Sequence, residues 1–241
     1  MSPSSPTNYL LSQIEPHALM AFEGRLTLME VIRGQVLQEP GAEVEYVYFP
    51  ETAVLSAGAE TSAGEIVNVD LIGAEGACGA FEACGSRQAF ARLAVLIPGK
   101  TWRMAAPAYR ELFDRSSALR TAVHKHAELL IAEARQFVAC NALHTVENRT
   151  CRTLLDLFDR CLGERSLPLT RDTLAQILGV QRTTAVAAVA SLQRAGHIRT
   201  RRGVIEILDV AALRRTACTC RDAVAFARRE IQAADHTACE A

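Results

Sequence analysis

The chain has 241 residues, of which 49% are hydrophobic and 22% charged, and its formal net charge is −1. Such a chain is long enough for two modest folded domains and too apolar for a disordered protein. No run approaches the ~18 consecutive apolar residues of a membrane span, and residues 1–8 lack the pattern of a secretion signal. We therefore expect a cytoplasmic protein without membrane contacts.

The charges are distributed unevenly along the chain. Between Asn141 and Arg229 there are 15 arginines and no lysine against eight acidic residues, so this part is strongly positive and the remainder strongly negative. Because a concentration of arginine favours binding to polyanions, the C-terminal part is the candidate nucleic-acid-binding part.

Short apolar runs separated by turn residues fill the first half of the chain. After a helix predicted at Tyr9–Glu23, several runs alternate apolar and polar residues, as half-buried strands do, and glycine or proline stands between them. The runs are Leu28–Ile32, Val36–Leu37, Val44–Phe49, Thr52–Leu55, Glu65–Ile72 and Ala91–Ile97. The pattern predicts an all-β barrel, jelly roll or sandwich.

A long helix is predicted at 117–144, after a shorter one at Pro107–Asp114. The long segment contains neither glycine nor proline. A stripe recurs along it at steps of four and three, namely Leu119, Val123, His126, Leu130, Ala134, Phe137, Asn141 and His144. Since a helix of this length usually packs against a partner helix, we predict a homodimer formed through it; the alternative is a single helix packed on the β domain. Asn141–Val146 is the predicted hinge before a further helix at Glu147–Cys161.

Residues 169–207 predict a DNA-reading module. Thr170 is a suitable N-cap for a first helix, and Gly179 can end that helix because glycine enters the left-handed conformation without a steric penalty. The helix would bury three apolar residues on one face, Leu174, Ala175 and Leu178. A second helix begins near Gln181. Two helices joined by a tight glycine turn form a helix-turn-helix, whose second helix enters the major groove.

The residues expected to contact DNA lie at the start of the second helix and in a basic hairpin after it. At the helix start they are Gln181, Arg182, Thr183 and Thr184. Arg182 is the foremost candidate for base readout, because a guanidinium matches guanine O6 and N7. The hairpin carries Arg199, Arg201 and Arg202, which we expect to meet phosphates as a wing. This hairpin favours a winged DNA-binding domain over an ordinary helix pair.

Residue types with catalytic or metal-binding chemistry do not indicate an enzyme. The eight cysteines include no Cys-x-x-Cys pair, and Cys218 and Cys220 are poorly spaced for a structural zinc site by themselves. We expect reduced thiols and no metal. A cupin-like metal enzyme is the alternative from another class. Residues 27–101 contain no histidine to hold its metal, and no nucleophile–base arrangement is evident.

With a β domain, a long helix and a C-terminal winged helix in this order, the chain resembles the Crp/Fnr family of bacterial transcription regulators. The resemblance covers Leu10 to Leu213. Its carriers are Tyr48-Phe49-Pro50, then Gly76-Ala77-Cys78-Gly79-Ala80-Phe81 with Arg87 and Ala89, and finally Leu174-Ala175, Leu178-Gly179, Arg182, Leu192, Gly196 and Ile198.

The resemblance implies an α+β architecture in three parts. A jelly roll of the cyclic-nucleotide-binding type occupies 1–116, a dimerisation helix 117–144 and a winged helix-turn-helix 145–241. The implied partners are double-stranded palindromic operator DNA, a second copy of the chain, RNA polymerase and a small-molecule effector. Thr183 and Ala187 stand where the family's best-studied member has a Glu and a second Arg, so we expect a different operator sequence.

The resemblance also implies an effector site in a phosphate-binding cassette. Aligned without gaps from Gly76 to Ala89, the candidate ligand-binding residues are Gly76, Ala77, Gly79, Arg87 and Gln88. Members that bind cyclic AMP have a Glu at the position of Ala77 and a Ser at that of Gln88. Loss of the carboxylate removes roughly 1.5–3 kcal/mol of hydrogen bonding, so we do not expect standard cyclic AMP binding. Arg87 either holds another anion or is a solvated loop charge.

Other members of the family respond to iron–sulfur clusters or haem. Iron–sulfur members carry an N-terminal cysteine cluster, and this chain has no cysteine before Cys78. His124, His126 and His144 are candidate haem ligands, although a helical histidine is more often a polar interface residue. A redox- or haem-responsive regulator is therefore the alternative within the family, with Cys78 and Cys84 beside the cassette.

Overall fold

The structure is a computed structural model that describes residues 7–20, 24–62 and 64–234. The described residues within 1–57, 71–130 and 228–241 form one compact unit, and those within 58–70 and 131–227 form a second. A β-rich first half precedes a helical second half. The predicted α+β class is confirmed. No helix in the described ranges has both the length and the apolar character needed to cross a membrane.

The strands of a two-sheet β-roll fill the first half of the chain. They are β1 (Leu26–Val31), β2 (Val36–Gln38), β3 (Tyr46–Pro50), β4 (Val54–Glu60), β5 (Ile66–Ile72), β6 (Arg92–Ile97) and β7 (Gly99–Ala105). One sheet has the order β1-β7-β3, and the other has the order β2-β6-β4-β5. Trp102 stands opposite both Leu28 and Phe49 in the first sheet. Strand β7 was not predicted.

The N-terminal segment forms two short helices instead of the single helix predicted at Tyr9–Glu23. They are α1 (Tyr9–Ser12) and α2 (Pro16–Met20). Pro16 lacks an N–H and disfavours helical backbone before it, so the first helix stops. The rest of that prediction, residues 21–23, lies outside the described residues. Asn8 is fully buried; its Oδ1 accepts from the amides of Leu10 and Leu11, and its Nδ2 donates to two carbonyls of the β-roll.

Helices cover the core of the β-roll. They are α3 (Ala80–Cys84), which was not predicted, α4 (Ala106–Arg115) and the first part of α5 (Ser117–Leu143). Phe49, Tyr109 and Leu112 form the centre of this core and are at most 1% exposed. Leu119 and Val123 of the predicted stripe belong to the same core. This part of the stripe therefore packs within the chain itself.

The second unit is built from helices and a small sheet. Besides the parts of β4, β5 and α5 that fall within 58–70 and 131–227, it contains α6 (Val146–Arg160), β8 (Ser166–Leu167), α7 (Arg171–Leu178), α8 (Arg182–Arg194), β9 (Ile198–Arg201), β10 (Val204–Ile207), α9 (Val210–Thr216) and the first part of α10 (Cys220–Ala233). The sheet has the order β8-β10-β9. Leu157 and Ala188 are buried, whereas Phe158 and Val186 are half-buried.

Candidate nucleic-acid interface

A tight glycine turn joins α7 to α8. The Thr170 hydroxyl accepts a hydrogen bond from the Thr173 amide at 3.1 Å and so begins α7. Gly179 ends that helix with φ at +59°, a conformation that an L side chain rarely adopts. Leu174 and Leu192, each fully buried, pack in the core behind the turn. The turn and the core together set the direction in which α8 points.

The first turn of α8 faces solvent. Gln181 occupies the N-cap position without making a capping hydrogen bond, and Arg182, Thr183 and Thr184 follow it; all four are exposed. The amides at a helix start lack intrahelical partners and carry partial positive charge, which favours an approaching phosphate. The structure thus brings together the four residues predicted for base contact on one accessible turn.

Arg182 forms an ion pair with Asp172 of α7. Its Nε lies 2.9 Å from the Asp172 Oδ1, and the two side chains are 71% and 61% exposed. An ion pair this exposed adds at most about 1 kcal/mol to stability. Its effect is on orientation, because it engages the Nε side of the guanidinium.

The basic hairpin forms the predicted wing. Val204 pairs with Arg201 and Ile207 with Ile198 in the β9–β10 register. Gly203, with φ at +73°, permits the tight turn after Arg202. The unpredicted strand β8 pairs with the other edge of β10, which anchors the wing to the domain.

Glu206 on β10 lies close to two of the three wing arginines, Arg199 and Arg201. Its carboxylate lies 3.6 Å from Arg199 and 3.9 Å from Arg201. Arg202 is exposed at the turn. Positive charge is therefore held along β9 and at the tip of the wing, where phosphates can reach it.

A surface cleft of about 430 Å³ connects the wing to the helix-turn-helix. Its lining residues include Arg171, Asp172, Arg182, Thr200, Arg201 and Arg202. Four arginines therefore line the cleft against one carboxylate. A cationic cleft at the start of α8 is suited to a phosphate backbone running past the helix.

Two of the cleft residues were missed by the sequence reasoning. Arg171 donates from Nη2 to the Thr200 hydroxyl at 3.4 Å, which links the start of α7 to the wing. Asp172 orients Arg182 as described. The Thr170 N-cap places both residues in the first turn of α7. Their positions beside α8 and the wing depend on the tertiary fold.

A histidine of the same chain covers part of the cassette of the β-roll. A Cβ added to Gly76 would lie 2.4 Å from Cε1 of His126, a residue of α5. Nε2 of His126 lies 3.2 Å from both the amide nitrogen and the carbonyl oxygen of Ala77, so the ring can accept from one or donate to the other. Phe81 stacks on the imidazole at a ring-centroid distance of 5.6 Å. Burial lowers the pKa of His126 and favours its neutral form.

The candidate ligand-binding residues of the cassette lie in two different environments. Gly76 and Ala77 are buried beneath His126, and Gly79 is half-buried with φ at +79° at the start of α3. Arg87 and Gln88 are exposed. The Arg87 backbone, with φ at +65°, donates to the Glu82 carbonyl and accepts from the Val44 amide. The histidine on the cassette was not foreseen, because the stripe on α5 favoured a contact with a partner helix.

A cluster of thiols and one imidazole in the second unit was also missed. Cys140, His144, Cys218 and Cys220 place their ligand atoms within 4.8 Å of one another. The fold unites two pairs of residues that are far apart in the chain, so the spacing of the cysteines along the sequence did not indicate this cluster. Cys239 lies outside the described residues.

An exposed recognition turn, a basic wing and a cationic cleft between them define a winged helix-turn-helix of the nucleic-acid-binding class, here preceded by a β-roll. Comparison with known proteins identifies the type of domain. Residues 148–216 match the family of Crp-like helix-turn-helix domains. The transcriptional regulator SdrP of Thermus thermophilus is 32% identical to this chain over 98 residues, 39% of the chain. The chain spans about half of that protein, 48% of its length.

Solved structures with the same fold cover most of the chain. One, described as a regulator of the Crp/Fnr family from Eubacterium rectale, has a TM-score of 0.68 and 16% identity over 87% of this chain and 98% of that chain. The c-di-GMP-responsive global regulator Clp of Xanthomonas campestris has a TM-score of 0.65 and 16% identity over 81% of this chain and 100% of that chain. The resemblance to the Crp/Fnr family is confirmed: a Crp-like helix-turn-helix domain is joined to the fold of Crp/Fnr regulators. These relatives are regulators, not enzymes.

Proposed function

We propose that this protein is a transcriptional regulator that binds a palindromic DNA operator as a homodimer and uses its β-roll as a sensor with an altered cassette. The observation that carries this proposal is the exposed first turn of α8 beside a cleft lined by four arginines. The domains proposed are the sensor at 1–116, the dimerisation helix at 117–144 and the DNA-binding domain at 145–241.

In the proposed complex, the two sets of candidate residues have different tasks. Gln181, Arg182, Thr183 and Thr184 approach base edges in the major groove, with Arg182 reading a guanine. Arg199, Arg201 and Arg202 contact phosphates and set the position of the protein on the duplex. Arg171 joins this second group because it lines the same cleft.

The proposed dimer contact lies on the second part of α5. Ile131 and Val138 are 51% and 72% exposed and stand seven residues apart, so they share one face of the helix. Exposed apolar side chains in such a row favour a partner helix. A twofold dimer would present two copies of α8 to half-sites about one helical turn apart.

Substitution of both apolar residues tests the dimer. Ile131→Glu combined with Val138→Glu is expected to convert the dimer to a monomer at micromolar concentration in sedimentation equilibrium. Leu162→Glu is the matched control, because Leu162 is 83% exposed and lies outside α5. An unchanged mass in the double variant would place the dimer contact elsewhere.

The effector that acts on the β-roll differs from the one that the family's cyclic AMP-binding members use. Ala77 and Gln88 replace the residues that hold cyclic AMP in the family, so another effector or a redox or haem signal is favoured. Clp, which has the same fold, is described as responsive to c-di-GMP, and this gives a second nucleotide to test. RNA polymerase is the proposed protein partner, and the cytoplasm is the proposed location.

Selection of bound DNA from a random pool tests the function. The full chain is incubated with the pool alone and with cyclic AMP, c-di-GMP, haem or an oxidant, and the retained sequences are read. We expect enrichment of a palindrome with half-sites one helical turn apart, with at least one addition changing the yield. Failure to enrich any palindrome under every condition would reject the proposed reader.

A further inference from the structure

Three thiols and an imidazole converge in the second unit at the end of α5. Cys140 and His144 come from the end of this helix, and Cys218 and Cys220 come from the link between α9 and α10. Cys140 is fully buried, and Cys218 and Cys220 are 8% and 1% exposed. Buried thiols beside an imidazole are the donor set that zinc prefers in structural sites.

The distances within this cluster fit a single ion. The Sγ atoms of Cys140 and Cys218 are 3.5 Å apart, and the Cys220 Sγ lies 3.3 Å from the His144 Nδ1. A tetrahedral zinc with bonds of ~2.3 Å to sulfur and ~2.0 Å to nitrogen separates its ligand atoms by about 3.5–3.8 Å. All four ligand atoms already lie within 4.8 Å of one another. An iron–sulfur cluster would require a wider separation of the same ligands.

The local structure explains how two distant segments provide the ligands. Cys140 and His144 are four residues apart, and the His144 amide donates to the Cys140 carbonyl as in a helix, so both side chains lie on one face. Cys218 and Cys220 stand on either side of Thr219, and α10 begins at Cys220. Neither pair holds a metal alone; the fold makes the four-ligand set.

The surroundings of the cluster suit an anionic metal centre. Three thiolates, one neutral imidazole and Zn²⁺ carry a net charge of −1. Arg149 and Arg152 of α6 are 6% and 7% exposed and interact electrostatically with Cys140. Within the described residues, the Nε atom of each arginine is buried without a hydrogen-bond partner. Gln136 donates from Nε2 to the Cys220 Sγ at 3.1 Å, a contact that stabilises a thiolate.

We propose that Cys140, His144, Cys218 and Cys220 bind one zinc ion in a closed Cys₃His site. Binding forms three Zn–S bonds and one Zn–Nδ1 bond, the three thiol protons pass to solvent, and the imidazole proton stays on Nε2. Four protein ligands leave no position for a substrate, so the site is structural. The ion joins residues 78 positions apart in the chain and closes a loop that contains the whole helix-turn-helix. Its binding therefore stabilises the DNA-binding domain.

Metal analysis of the full-length protein tests the site. Protein purified under reducing conditions from zinc-supplemented cells is expected to contain about one zinc per chain by plasma mass spectrometry. Removal by a chelator should lower the thermal midpoint, and added zinc should restore it. Addition of Co²⁺ to the metal-free protein should give the visible absorption of a tetrahedral cobalt thiolate. The cobalt measurement uses the unaltered protein, so it does not depend on whether a variant folds.

Ligand variants and matched cysteine controls complete the experiment. Cys218→Ser combined with Cys220→Ser, and separately His144→Ala, should lose the zinc, whereas Cys84→Ser and Cys161→Ser, outside the cluster, should retain it. Gln136→Leu should weaken zinc binding about 10-fold or more. Zinc-free protein with reduced thiols would overturn the proposal, as would a Cys140–Cys218 disulfide in the purified protein or full zinc content in the double serine variant. DNA binding is a separate readout, so failure of either proposal leaves the other standing.

Discussion

The cleft beside α8 and the cassette of the β-roll differ in how exposed their candidate binding residues are. In the cleft, Arg182, Arg201 and Arg202 are exposed and lie together. In the cassette, the buried loop at Gly76 and Ala77 is covered by His126, whereas Arg87 and Gln88 are exposed. Accessible arginines therefore line the cleft, whereas in the cassette Ala77 and Gln88 replace two residues that hold cyclic AMP in the family and His126 lies against Gly76.

The cleft and the cassette therefore differ in the kind of ligand that each can bind. Binding to a phosphate backbone needs accessible positive charge, and the second unit provides it. Recognition of a small ligand needs a cavity with converging polar groups, and the histidine packed on the cassette engages the amide or the carbonyl of Ala77 within the same chain.

Replacement of the recognition arginine is expected to have the largest effect. Arg182→Ala should weaken binding to the selected operator by about 10- to 100-fold, because a bidentate contact to guanine contributes ~1–3 kcal/mol of discrimination. Binding to an unrelated duplex should be nearly unchanged. Fluorescence anisotropy at one salt concentration measures both. Arg194→Ala, at the exposed C-terminal end of the same helix, is the control, and equal losses on both duplexes would mean that Arg182 contacts only phosphate.

A methyl group in the cassette tests whether His126 covers it. Gly76→Ala should lower the free energy of unfolding by about 1–3 kcal/mol, because the new Cβ would overlap the buried imidazole. Chemical denaturation measures the change. The double variant with His126→Ala should lose less than the sum of the two single variants. Strict additivity would show that the two residues do not meet in solution.

The pH dependence of stability provides a second test of the covered cassette. Burial lowers the pKa of His126 from its ordinary 6.5, so the unfolded chain binds the proton more tightly than the folded protein. The stability that neutral His126 contributes is fully present above pH ~6.5. It is lost as the pH falls toward the folded-state pKa, and the free energy of unfolding then drops by at most ~1.4 kcal/mol per pH unit. Chemical denaturation of the protein and of the His126→Gln variant between about pH 7.5 and 5.5 measures this loss of stability. Parallel curves would exclude His126 as the source.

The smallest expected effect concerns the wing. Arg201→Ala should reduce the slope of log affinity against log salt by about 1, because one phosphate contact releases about one counterion. Titrations at several salt concentrations on operator and unrelated duplexes give the slope. Arg214→Ala, exposed on α9 outside the cleft, should leave it unchanged. An unaltered slope for Arg201→Ala would remove this residue from the phosphate contacts.

Local signals in the sequence predicted most of the secondary structure. The Thr170 cap and Gly179 predicted the bounds of α7, and the alternating runs predicted six strands near their observed positions. Pro16 could have indicated the break between α1 and α2, since its effect on the helix is local. Strand β7 at Gly99–Ala105 was missed because Lys100, Thr101 and Arg103 reduce its apolar content; its pairing with β1 and β3 provides the hydrogen bonds that make it a strand.

By itself, the sequence determined the order of a β domain, a long helix and a helix-turn-helix with a basic hairpin, because caps, glycine turns and apolar periodicity act over a few residues. The tertiary structure decided which distant groups meet. It placed Asp172 beside Arg182, packed His126 against Gly76, and joined Cys140 and His144 to Cys218 and Cys220. Contacts of this kind arise from the packing of whole elements, and residue spacing along the chain does not encode them.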